Sequence, residues 1–406
     1  MNQLLKFKQE AIYMDCCLNE LGTFYGGLSG KTKEHFGTGD AKFVTYMNVF
    51  SNCIARKDQC ECVLISDDEK QNLVKKGDIL FTQSSETPEE VGMASIWTHD
   101  LDVYLNSFCF GFRVLDPKKT NPLYLTYLLR SPKYRQAISI EAQGISRYNL
   151  SSSRLSSLKL RLHSCEEQQK IAEFFTALDE KIELLVKKIK FTEKLRNGLM
   201  YSLLNQQINI GQTEKKYPQW ETLQLKQCVS FFKGGSLAKK DLDDDGDKPC
   251  LLYGELYTTY GCTTSKIISR TNVSSPLVVS RKNDVVLPMS GETAEEIAKA
   301  TCLLVDDVAY GGDLLILRSQ MLYGPFLSYA LNSVHRHSIS RIAQGKSVVH
   351  INATNLSEIS ISVPCMEEQI LIADCLMHID NKIDILDKQK KTLDAQKKAF
   401  MQRMFV

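Results

Sequence analysis

The chain has 406 residues, 43% hydrophobic and 24% charged, enough for two or three globular domains with their own cores. It contains no run of eighteen apolar residues, and its first twenty residues lack a basic segment leading into an apolar one, so neither a membrane span nor a secretory signal is expected. A net charge of +2 neither demands nor excludes nucleic acid, because local basic patches matter more than the sum.

The 13 cysteines include no C-x-x-C pair, which points to reduced thiols in the cytoplasm and against a disulfide frame or a zinc site.

In chain order, short apolar stretches between turn residues predict strands at 43–49, 79–81, 108–114 and 158–162, with a helix over 122–129. A long helix follows, opened by Glu166-Glu167-Gln168, whose carboxylates suit the amino end of a helix dipole. Ile171, Phe175, Leu178, Ile182, Leu185 and Ile189 carry the 4-3-4-3 spacing of a coiled-coil seam. Beyond Ile189 this stripe slips toward Leu195 and Leu199. A polar stretch, Asn205–Tyr217, reads as a linker. Strands are then expected at 285–287, 314–317 and 359–363, with a helix over 324–331. A second long helix opens with Glu367-Glu368-Gln369 and carries Ile372, Leu376, Ile379, Ile383 and Leu386, then Leu393, Phe400 and Met404. Lys390 and Lys397 fall on its seam. At 1.5 Å per residue each helix is about 60 Å long. Each stripe's economical partner is the other helix.

The two halves are copies. Residues 142–204 and 343–405 align without a gap at a constant offset of 201, with A-Q-G-x-S, E-E-Q, I-A and D-x-K-I in common. Such a repeat marks one duplicated unit rather than a solenoid of short modules. Upstream the offset drifts, so shared elements are joined by loops of different length. Phe24-Tyr25-Gly26-Gly27 matches Phe232-Lys233-Gly234-Gly235. Lys76-Gly77-Asp78 matches Lys282-Asn283-Asp284. Ser84-Ser85-Glu86-Thr87 matches Ser290-Gly291-Glu292-Thr293. The fold expected is α/β: two similar globular domains (1–163 and 219–364), long antiparallel coiled-coil helices (164–205 and 365–406) and a linker at 206–218.

Signs of catalysis are weak. Gly30-Lys31-Thr32 and Gly345-Lys346-Ser347 lack the upstream glycine of a phosphate loop, where Tyr25 and Ser340 stand. Asn121-Pro122-Leu123-Tyr124 misses the second proline of an adenine methyltransferase tetrapeptide. The acidic run from Asp241 has Leu252 where a calcium loop needs glutamate. The histidines show no metal spacing.

What recurs instead are polar loops. Gly26, Gly27, Ser29, Lys31 and Lys33 in the first half answer to Gly234, Gly235, Ser236, Lys239 and Lys240 in the second. Ser84, Ser85 and Thr87 answer to Ser290 and Thr293. Gln143, Ser146 and Arg147 answer to Gln344, Lys346 and Ser347. Backbone amides, hydroxyls and basic side chains are what phosphate-positioning loops use, with base reading left to variable neighbours. The competing reading is that duplicated turns keep a duplicated fold folded, and composition does not choose between the two.

This two-fold pattern resembles the DNA specificity subunits of type I restriction–modification systems. The resemblance rests on the twice-occurring E-E-Q helix opening with I-A-x-x-(L/F)-x-x-(L/I)-D-x-K-I (Glu166 to Ile182, Glu367 to Ile383), the Tyr217-Pro218-x-Trp220 entry, the K-x-D motifs and Gln-Gly-x-Ser. It covers nearly the whole chain, although the first half lacks a Pro-x-Trp entry. It implies two target recognition domains that each read a half-site in double-stranded DNA, held apart by the paired helices. It implies a non-catalytic chain, binding no cofactor or metal itself, that recruits two methyltransferase subunits using S-adenosylmethionine. Motor–endonuclease subunits using ATP and Mg would join where present. The readings to be distinguished from it are a methyltransferase or nuclease active alone, and a coiled-coil adaptor with no DNA role.

Overall fold

In each half the first described strand pairs with the strand just before the long helix. Met14–Cys17 runs antiparallel to Lys159–Leu162, and Glu221–Gln224 to Ser360–Val363. The computed structural model describes residues 13–210, 217–274, 277–343 and 349–405. The centre of the linker, with Gly211, therefore lies outside the described residues.

The sheets repeat element by element. In the first half a four-stranded antiparallel sheet has the order Gly22–Gly26, Cys109–Val114, Ile79–Thr82, Ala94–Ile96. The second half builds Ser230–Lys233, Leu314–Arg318, Val285–Pro288, Thr301–Leu303, and adds Thr263–Thr264 in parallel. A three-stranded sheet accompanies each: Cys60–Val63, Phe36–Val44, Tyr104–Leu105, and Arg270–Thr271, Lys248–Leu251, Ala309–Tyr310. The strand expected over 43–49 stops at Val44. Thr45 Oγ1 accepts a hydrogen bond from Asn48 N at 3.2 Å and caps a helix, Tyr46–Ser51.

Against each main sheet lies a helix with proline in its first turn, Pro122–Arg130 and Gly324–Asn332. The proline's missing N–H costs nothing there. The E-E-Q glutamine fastens this helix to the long one. Gln168 Oε1 accepts from Asn121 N (2.9 Å) while its Nε2 donates to His163 O (2.9 Å). Gln369 does the same with Tyr323 N (2.7 Å) and Pro364 O (3.0 Å). The entry motif adds a contact in the second half only: Trp220 Nε1 donates to Glu368 Oε2 at 3.1 Å. Burial raises the pKa of that carboxyl.

The K-x-D motif is a folding device too. Asp78 and Asp284 are each 1% exposed. Asp78 accepts from Arg113 Nε (2.8 Å), Tyr25 Oη (2.6 Å) and Lys75 N (2.8 Å). Asp284 accepts from Arg318 Nε (2.7 Å), Tyr310 Oη (2.9 Å) and Arg281 N (2.9 Å). A buried carboxylate is tolerable only with such complete pairing.

The long helices are Cys165–Leu204 and Met366–Met404. The chain divides into two units, one holding the described residues up to Val186 and those from Gln389 onward, the other Lys187–Lys388. Each helix is thus shared between units rather than forming a body of its own. In the first unit Ile171, Ala172 and Phe175 enter the core of Leu125, Tyr127 and Leu128, completed by Met401 and Phe405. The Phe175 ring stacks on Phe405 at 5.7 Å and Phe174 meets Phe400 at 5.2 Å. In the second unit Ile372, Ala373 and Leu376 join Phe326 and Leu327 with Met200, Leu203 and Leu204. Within each unit the two helical segments run antiparallel: Phe175 lies by Phe405, while Asp179 lies by Lys397.

The seam residues differ in burial. Ile171, Phe175, Leu185, Ile189, Ile372, Leu376 and Leu386 are buried, whereas Leu178, Ile182, Ile379 and Ile383 are half-buried. The first stripe does not slip. Leu195 is 52% exposed, and Thr192 at 5% takes the inner position. The register continues through Thr192, Arg196, Leu199 and Leu203, the positions matching Leu393, Lys397, Phe400 and Met404. A polar pair in mid-stripe disguised it.

Candidate nucleic-acid interface

Three segments of the first unit, distant in sequence, are drawn together by backbone hydrogen bonds. Gly27 N donates to Cys109 O (3.2 Å), Gln83 N to Phe108 O (2.8 Å) and Leu150 N to Gln83 O (2.8 Å). Ser84–Ser85 pairs antiparallel with Tyr148–Asn149. Tyr46 Oη donates to Ser84 O at 2.6 Å. The Gly-Gly turn, the Ser-x-Glu-Thr segment and the Gln-Gly-x-Ser loop therefore share one edge.

The last of these is a closed loop. Gln143 and Asn149 exchange both backbone hydrogen bonds, at 2.9 and 2.7 Å. Gly144 holds φ +143°, and a Cβ there would lie 2.0 Å from Arg147 O. Only glycine fits that turn. The tip puts Ser146 and Arg147 in solvent with Ile145, which is 96% exposed. The Arg147 guanidinium sits 5.8 Å from the Phe108 ring centroid, and Phe108 is itself 56% exposed. A cation stacked on an exposed ring offers both charge and an apolar face to a ligand.

The second unit repeats the construction. Gly234 N donates to Leu314 O (2.8 Å), Gly235 N to Tyr310 O (3.1 Å), Met289 N to Asp313 O (2.8 Å) and Ile351 N to Met289 O (3.0 Å). Ser290–Gly291 pairs with Val349–His350. Asp313 stands where the first unit has Phe108. Gln344, Lys346 and Ser347 lie outside the described residues.

The candidate residues play different parts. Gly27, Gly234 and Gly235 are pressed on backbone, with a Cβ at 2.2, 2.1 and 2.7 Å from the nearest carbonyl oxygen, so they serve packing. Gly26 faces open space. Ser29 is exposed, its backbone N bonded to Gln71 Oε1 at 3.1 Å. Lys33, Thr87, Ser236, Lys239 and Lys240 are exposed. Ser84 and Ser290 are buried in the strand pairs, and Ser85 Oγ donates to Glu90 at 3.0 Å. Thr293 caps a short helix, its Oγ1 accepting from Glu296 N at 3.2 Å.

Lys31 is a correction. Its side chain is 2% exposed, donates to Leu64 O at 2.6 Å and pairs with Glu69 at 2.5 Å. That bond holds the Glu69 carboxyl down to about 2. Lys31 secures a loop and is withdrawn from any external phosphate.

Sequence reading missed Phe108, Ile145 and Tyr46. Phe108 looked like the first residue of an apolar strand; the strand starts at Cys109, which leaves the ring in the turn from Asn106. No group of three or more His, Cys, Asp or Glu among the described residues could hold a metal ion.

The family model for the type I restriction modification DNA specificity domain matches twice, over residues 13–192 and 217–395. The type I restriction enzyme MjaVIII specificity subunit of Methanocaldococcus jannaschii is 25% identical over 300 residues, covering 70% of this chain and 69% of the relative. A second protein of that organism, provisionally assigned as the MjaX specificity subunit, is 25% identical over 351 residues, 82% of this chain and 80% of the relative. The crystal structure of a type I restriction–modification S subunit from M. genitalium superposes with a TM-score of 0.64 at 16% identity, covering 99% of this chain and 98% of that one. A structure from work on complex assembly and conformational transition of the type I system gives 0.56 at 17% identity, with 97% of both chains covered. With two matched domains spanning most of its length, and each domain carrying the same strand pairing at its loop edge, the chain belongs to the family of type I restriction–modification DNA specificity subunits.

Proposed function

We propose that each unit reads one half of a bipartite target in double-stranded DNA, and that the long helices set the unread gap between the halves. The observation that carries this reading is the edge built twice from the same backbone hydrogen bonds but furnished with different side chains, Phe108 against Asp313 being the plainest case. One scaffold with two sets of tips suits two unlike half-sites. Exposed Lys33, Arg147, Lys239 and Lys240 suit phosphate contacts, which position a protein without reading sequence.

In this reading the chain carries no catalytic site. It gathers two methyltransferase subunits, which supply S-adenosylmethionine chemistry on adenine, and motor–endonuclease subunits working with ATP and Mg where the cell makes them. Phe191, Leu195 and Tyr201, 68%, 52% and 55% exposed on the outer side of the first long helix, support a subunit-docking role. Among the described residues no helix is long and apolar enough to cross a membrane.

The test is to replace residues 15–162 with those of another family member, express the chain with its methyltransferase subunit, and sequence the methylome. One half-site should change while the other half stays. A change in both halves, or in neither, overturns the reading. Methyl transfer by the purified chain alone would instead mark it as an enzyme.

A further inference from the structure

One half-buried polar motif occurs twice on the helices, and neither occurrence touches the loop edges. In the first unit Asp179 accepts a hydrogen bond from Tyr127 Oη at 2.9 Å and pairs with Lys397, whose ammonium lies 5.6 Å from the Tyr127 ring centroid. In the second unit Asp380 accepts from Tyr329 Oη at 2.6 Å and from Arg196 Nε at 2.8 Å. The two carboxylates are related by the repeat's offset of 201 residues, and so are the two cations. Each triad joins three elements: the helix of a globular domain, the long helix that follows it in sequence, and the antiparallel segment of the other long helix. All four ion-pair side chains are between 22% and 26% exposed. Burial above all pushes both phenols up, followed by Cys53 and then Asp179 at Tyr127 and by Asp380 at Tyr329, so each tyrosine stays a donor.

Apolar seams are poor at fixing register, because dispersion and hydrophobic burial are non-directional. The half-buried Ile182 and Ile383 beside the triads make this seam weaker still. A charge pair is different: a slide leaves each charge half-buried without its partner. Polar groups at single seam positions are known to specify register in coiled coils at a cost in stability.

We propose that Asp179–Lys397–Tyr127 and Asp380–Arg196–Tyr329 are register locks, positioning residues that fix each recognition domain on the helix pair and thereby the length of the gap in the target. This rests on the two-half-site reading above. The duplication explains why there are two: an antiparallel pair of equivalent helices presents each aspartate to the other copy's cation. A slide of one turn moves a helix about 5.4 Å. Against about 3.4 Å per base pair along DNA, that alters the gap by roughly one or two base pairs.

The experiment uses the full chain with its methyltransferase subunit in a host free of other methylases, read by methylome sequencing. Asp179→Lys with Asp380→Lys sets like charges across both locks. Methylation at native-gap targets should fall at least ten-fold, and targets with the same half-sites but a gap altered by one or two base pairs should gain it. Adding Lys397→Asp and Arg196→Asp should restore the native gap. A merely structural role would lower methylation at all targets evenly and leave the gap alone, so that outcome overturns the proposal, as does a swap that fails to rescue. Should the reversed chain fail to accumulate, Asp179→Asn with Asp380→Asn keeps size and tyrosine partner without the charge; a single unchanged gap in that folded variant is equally fatal. A wild-type chain giving no bipartite methylation would remove the two-half-site reading and this proposal with it, whereas wild-type bipartite methylation with an unmoved variant gap removes this proposal alone.

Discussion

Arg147 and Lys31 carry the same charge in the same half of the chain and face opposite ways. Arg147 stands at the tip of a loop closed by the Gln143–Asn149 bridge and stacks on an exposed ring. Lys31 is folded back on Glu69 and Leu64. Composition ranks them as equals, since nothing in the letters G-K-T or S-R-Y reveals which cation finds a carboxylate nearly forty residues away. DNA affinity of the assembled complex measured against salt should separate them. Arg147→Ala is expected to flatten the salt slope by about one phosphate contact. Lys31→Ala should leave the slope unchanged and lower only the melting temperature. A flattened slope for Lys31→Ala would return that residue to the interface.

At the scale of elements, periodicity delivered both long helices, and six of the seven strands expected from turn residues fall within a residue of their place, although the described residues hold 23 strands. Two readings failed for local reasons. Thr45 turned the end of an expected strand into a helix by capping it, and Thr192 and Arg196 hid the continuation of the first stripe, because a seam containing a half-buried ion pair does not look apolar. The candidate site was half legible: the recurring loops could be listed, but their meeting on one edge depends on strand pairings between residues some sixty positions apart. Burial along the stripe sets a second prediction. Phe175→Ala removes a fully buried ring from the first unit's core and should cost about 3–5 kcal/mol. Ile182→Ala, at a half-buried position, should cost about 1 kcal/mol or less because little apolar area leaves a dry environment. Thermal melts of the two variants check the order, and equal losses would mean that the stripe is buried uniformly.

For the whole molecule, duplication is the organising fact. Sheet order, helix position, the E-E-Q anchor and the buried Asp–Arg pair of the K-x-D motif all recur, so the halves can be checked against each other at those positions. The loops at the shared edge diverge, as expected of surfaces set to different tasks on a common scaffold. If the helices measure the gap, removing one heptad from each, about 10 Å of helix, should shorten the unread gap in the methylated target without altering either half-site. An unchanged gap in the methylome would show that something other than helix length sets it.

One arrangement also bears on how this protein is made. Phe400, Met401 and Phe405 complete the hydrophobic centre of a unit whose other members were translated far earlier. Between Val186 and Gln389 the ribosome must work through an entire second unit. At about 5–20 residues per second that is a wait of roughly ten to forty seconds, during which Tyr127, Phe174 and Phe175 lack their final cover. The nascent first unit is then a sticky, unfinished body, open to chaperones and to premature encounters with other copies until the late segment arrives.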